Sequence, residues 1–162
     1  MKRKAKLFFC CIIFIFILNG CSKSSSNIKT TDLRNILIDN ITIGSHIKSI
    51  DLTKYSKSER YSGNYTHKFD EIVLNVNNNL VDYLFSRFDE NKTTISVNGK
   101  SNLTKIDEVS DILGNNFHEK WYDKEQGLKT YEYYDYENNI EVNFVYLDYD
   151  NTLIWIKLSK IK

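Results

Sequence analysis

Side chains able to do chemistry are scattered along the 162 residues rather than grouped. Adjacent carboxylates occur at Asp70-Glu71, Asp89-Glu90 and Asp107-Glu108. General acid–base catalysis needs two carboxyls held across a cleft, in surroundings that split their pKa values. Sequence neighbours on a turn do not supply that, and acids at 107 and 108 suit the first turn of a helix, where they complement its dipole. His46, His67 and His118 lie far apart, and His118-Glu119 lacks the second histidine of a zinc-protease helix. Asp148-Tyr149-Asp150-Asn151 starts like a calcium loop but has neither the central glycine nor the distal glutamate, and it reads better as a hairpin turn. No nucleophile-elbow, Walker, dinucleotide-glycine or Cys–His pattern is present. The expectation is a protein that is not an enzyme and that holds no metal and no cofactor.

The cysteines point elsewhere. Lys2, Arg3, Lys4 and Lys6 precede an unbroken apolar run, Leu7 to Leu18, which contains Cys10 and Cys11. As a helix such a run of about a dozen residues reaches about 18 Å, short of the roughly 30 Å hydrocarbon layer. A basic end followed by a short apolar run is the pattern of a secretory signal. Leu18-Asn19-Gly20-Cys21 then resembles the lipobox of bacterial lipoproteins: an aliphatic residue, two small positions and a cysteine. Asn19 departs from the commoner Ala, Ser or Thr. The resemblance implies cleavage between Gly20 and Cys21, a thioether from the Cys21 sulfur to diacylglycerol, and a signal peptide over 1–20. Lipidation consumes the remaining thiol, so no cysteine is left for a disulfide, a zinc cluster or a nucleophile. Two acyl chains hold a membrane stably where one binds marginally.

Charge supports that address and excludes another. The 22 basic and 21 acidic residues nearly cancel, leaving no field for gripping nucleic acid. Loss of the four basic residues of the signal leaves 18 against 21, a net −3, so the surface would not hold anionic lipid by itself. Eighteen Lys, eighteen Asn and nineteen Ile against one Ala and no Pro resemble the usage of an AT-rich bacterial genome. The expected location is the extracytoplasmic face of the cell membrane, with residues 21–31 (Cys21, then the Ser-rich SKSSSNIKTT) as the lipidated anchor and a flexible tether.

Aromatic residues are the remaining lead, with two Trp and eleven Tyr. In the last strand, Leu153, Trp155 and Lys157 alternate with Ile154, Ile156 and Leu158, so Trp155 is expected on the open face if the isoleucines pack inward. Tyr131 and Tyr133 alternate with Glu132 and Tyr134, placing at least one tyrosine pair on that face. Tyr and Trp carry hot spots in protein interfaces, which makes Trp155, Trp121, Tyr131 and Tyr133 the candidate partner-binding residues. The same rings would also serve as ordinary cross-strand pairs.

The elements that must position these residues form one domain over 32–162, in two similar halves of about 32–92 and 93–162. In the second half Thr104 can cap a helix with Ile106, Val109, Ile112 and Leu113 on one face and Gly114 as its stop. A loop with Trp121 leads to three strands, Leu128 to Tyr136, Ile140 to Leu147 and Thr152 to Ser159, joined by short turns. In the first half a short helix over Ser45 to Leu52 precedes strands at Tyr61 to Phe69, Ile72 to Val76 and Leu80 to Phe85, with a further strand at Thr93 to Val97 and a turn at Asn98-Gly99. The expected class is α+β, a helix plus a three-stranded antiparallel meander used twice. This order resembles the beta-lactamase-inhibitor-protein-like architecture, which the SmpA/OmlA (BamE) lipoproteins use once. That likeness implies non-catalytic binding of other proteins through the sheet or its loops. The expected function is a membrane-anchored lipoprotein that binds a protein partner; the alternative is a lipoprotein that binds a small molecule or cell-wall ligand.

Overall fold

The computed structural model describes residues 29–161. The signal peptide, Gly20, Cys21 and most of the tether lie outside the described residues. Among the described residues ten strands form two antiparallel sheets, accompanied by one α-helix. The large sheet has seven strands: β2 (His67–Lys68), β3 (Ile72–Asn77), β4 (Leu80–Arg87), β10 (Leu153–Lys160), β9 (Ile140–Leu147), β8 (Leu128–Asp135) and β7 (His118–Asp123), in that spatial order. The small sheet pairs β1 (Ile36–Ile38) with β5 (Ile95–Val97) and β5 with β6 (Lys100–Ser101). Helix α1 spans Ile106–Leu113.

The expected α+β class is therefore corrected. The protein is mostly β, 45% strand and 11% helical, and among the described residues it has one α-helix, not one per half. Residues 45–52, expected to be helical, hold two single 3₁₀ turns, Ile47–Ser49 and Leu52–Lys54. The reason is local. The His46 ring accepts from the Lys48 N–H and the Asp51 carboxylate from the Thr53 N–H, closing each turn at once. Such side-chain bonds compete with helix propagation, and so short a segment cannot offset the cost of nucleation. Residues 61–66 were expected in a strand, yet β2 begins only at His67. The Trp121 loop is instead the edge strand β7, whose mostly exposed residues carry no apolar alternation to announce it.

Two three-stranded meanders, β2–β3–β4 and β8–β9–β10, meet along their last strands, β4 beside β10. Asparagine makes this possible in a chain without proline. Among the described residues nine non-glycines have positive φ and eight of them are Asn, the residue that tolerates the left-handed region through its short polar side chain. Asn78 and Asn79, at φ 51° and 64°, form the two-residue turn between β3 and β4, whose twist suits adjoining strands.

One face of the large sheet is buried. Ile72 and Leu74, Leu84, Ile156 and Leu158, Val142 and Phe144, and Tyr133 pack in a single core with Ile36 and Ile38 of β1, Val97 of β5 and Ile106, Val109 and Leu113 of α1. Helix α1 begins after Lys105 rather than Thr104. Its cap is the Glu108 carboxylate, which accepts the Thr104 and Lys105 N–H groups at 2.8 and 3.0 Å. Gly114, at φ 79°, ends it. The other face of the sheet is left to side chains that the core does not use.

Candidate functional site

That second face carries an aromatic groove of about 190 Å³. Register explains which residues reach it. In β10, Trp155 pairs with Arg87 of β4 and Val145 of β9, and Lys157 with Phe85 and Asn143. Directly paired residues project from the same face. Phe85 in turn pairs with Val73 of β3. Val73 and Val145 are buried yet stand apart from the main core, and they floor the groove. Tyr61 and Tyr65, from the irregular segment before β2, and Tyr122, from β7, wall it at opposite edges.

The rings contact one another throughout. Tyr65 stacks on Tyr83 at 5.4 Å, Tyr61 meets Phe85 edge-on at 5.7 Å, and Tyr122 meets Trp155 edge-on at 5.3 Å. Gly63 lets this happen: at φ 121° it adopts backbone that side chains rarely take, and a Cβ there would sit 2.9 Å from the Tyr65 ring. Burial, with the neighbouring Tyr65 phenol, pushes the Tyr83 hydroxyl well above the ordinary phenol range, and burial raises Tyr61 as well. Both stay neutral, available as hydrogen-bonding groups.

Charges are arranged at one rim. The Arg87 guanidinium lies 5.5 Å from the Trp155 ring and the Arg60 guanidinium 5.7 Å from Tyr61. Both are paired to Glu90, at 3.0 and 2.7 Å, and Arg87 also to Asp89. Burial pushes the Glu90 carboxyl up, but hydrogen bonds from Arg60 and Lys92 outweigh it and hold the group below its ordinary value.

The residues singled out in the sequence separate between the two faces. Trp155 is at the groove. Tyr133 is fully buried on the opposite face, its hydroxyl donating to the Gly114 carbonyl at 3.0 Å. Tyr131 also faces that side, stacked on Phe117 at 3.6 Å. Trp121 pairs in register with Lys129, whose ammonium lies 5.1 Å from its ring, and is not part of the groove. Its neighbour Tyr122, the bulged residue of β7, reaches Trp155 instead. A bulge at Ile154 likewise moves Leu153, expected beside Trp155, into the core. The groove residues missed in the sequence are Tyr61, Tyr65, Tyr83, Phe85 and Tyr122. Only the alternation of Tyr83 and Phe85 with Leu84 offered a signal.

The other chemistry-bearing groups stay apart. Glu71 accepts the Ser56 N–H, Asp89 and Glu90 are in the rim pairs, and Glu108 caps α1. Asp150 bonds Thr152 across the turn, and Asp148 pairs with Lys129 at 2.7 Å. Among the described residues no group of His, Cys, Asp or Glu could hold a metal ion. A second depression, about 370 Å³, is walled largely by polar loop residues such as Asn91, Thr93 and Asn102. Set against family models, curated proteins and solved structures, the chain matches none.

Proposed function

We propose that this chain is an exported lipoprotein, anchored through Cys21 on the extracytoplasmic face of the cell membrane, whose aromatic groove binds a partner protein. The anchor rests on the sequence: a basic end, a short apolar run and a cysteine preceded by Leu18-Asn19-Gly20. Among the described residues no helix is long and apolar enough to cross a membrane. The observation that carries the binding role is the groove itself. Six aromatic residues, Trp155 among them, line an open face of the sheet, and rigid Tyr and Trp side chains give contact area at small entropic cost.

The volume favours a protein over a small molecule. About 190 Å³ falls short of the roughly 300–1,000 Å³ usual for sites that enclose a ligand. Replacing Trp155 with a photo-crosslinking amino acid, in cells, tests the reading; the same probe at Trp121 is the control. Capture of one defined protein from 155 and not from 121 is expected. Equal capture from both positions, or none from 155, contradicts it.

A further inference from the structure

Lys157 stands in the middle of the groove floor, between Phe85 and Asn143 in the neighbouring strands. Its ammonium makes no hydrogen bond with the described residues, and its ion pair with Glu141 Oε1 is a long one, 4.0 Å. That oxygen is already engaged, accepting from Asn143 Nδ2 at 2.7 Å. Arg60 and Arg87, by contrast, are held in the rim pairs at 3.0 Å or less. The residues lining the groove include this one cation and no carboxylate. A lysine among rings whose one ion pair is this long favours a closer anion, because partial desolvation strengthens the pairing such a guest would make.

The rings suggest what accompanies the anion. Tyr65 and Tyr83 stack on each other, and Trp155 lies T-shaped against Tyr122 with the guanidinium of Arg87 over its ring. Held against one another in this way, the rings form walls that fit around a compact apolar side chain. We propose that the groove takes an extended acidic peptide of a partner protein, in which a proline or other apolar side chain seats between the rings and a nearby carboxylate pairs with Lys157. This rests on the protein-binding reading of the same face. It adds the charge of the partner.

The test uses the full chain, purified from membranes in detergent, and a random dodecapeptide display library. Selected peptides are expected to share an Asp or Glu close to a proline or apolar residue. A synthetic consensus peptide should bind at least tenfold more tightly than the same peptide with that acid changed to its amide. The Lys157→Met variant should bind both alike, and Lys157→Glu should prefer a peptide with Lys in place of the acid. The comparison of acid and amide peptides on the unaltered protein needs no variant to fold. A neutral consensus, no enrichment, equal affinity for acid and amide, or displacement by a cell-wall glycan fragment overturns the inference. Crosslinking from 155 to a protein, together with indifference to the peptide's charge, would leave the protein-binding role standing and remove only the acidic preference.

Discussion

The Tyr133 hydroxyl is buried and donates to the Gly114 carbonyl, tying β8 to the end of α1. Tyr133→Phe removes that bond and is expected to lower stability by about 1 kcal/mol, read as the urea midpoint, while crosslinking from position 155 stays unchanged. Asp135 lies two residues further on, as the last residue of the same strand. It is almost wholly buried, and it accepts the Leu33 N–H at 3.0 Å, the Asn138 N–H at 3.0 Å and the Asn138 amide at 2.8 Å. Burial pushes its carboxyl up, but these donors outweigh burial and hold it below the ordinary 3.8. A carboxyl lowered on folding contributes stability above its unfolded value and loses it as pH falls through the folded value. Asp135→Ala should therefore cost about 1–3 kcal/mol near neutral pH, with the difference from the unaltered protein shrinking as pH falls below the ordinary 3.8. A gap that stays constant between neutral and acid pH would show that the charge of Asp135 contributes nothing.

At the scale of elements, turns decide how the strands meet. Asn79 adopts φ 64° in the β3–β4 turn, so Asn79→Gly is expected to stabilise the fold and Asn79→Ala to cost up to about 1 kcal/mol, measured by chemical unfolding. Gly63→Ala is expected to shift the Tyr65 ring off Tyr83, detectable as changed ring-current shifts of Tyr83 and reduced capture from 155. The strand cores were legible in the sequence: Ile140, Val142, Phe144 and Tyr146 alternate and all lie buried on one face. What could not be read was where alternation breaks. The bulges at Ile154 and Tyr122 each exchange the face of a neighbour, so a period of two places Leu153 wrongly and hides Tyr122. The expected helix at 45–52 failed for a related reason, since capping side chains set local turns that hydrophobic spacing does not register. Tyr61 and Tyr65 reach the groove from irregular backbone, where no periodicity applies.

For the whole molecule, the residues ahead of β1 are tied to the end of β8, where the Thr31 N–H donates to the Tyr134 carbonyl and the Tyr136 N–H to the Thr30 hydroxyl. Cys21→Ser should release the protein from the membrane fraction or leave it unprocessed, while a purified sample keeps its unfolding midpoint. Mass spectrometry of the N-terminal peptide from native membranes tests the account most directly. A peptide starting at Cys21 with a diacylglyceryl thioether on its sulfur is the predicted result. A chain that keeps Met1, or a Cys21 carrying a free thiol, would contradict it.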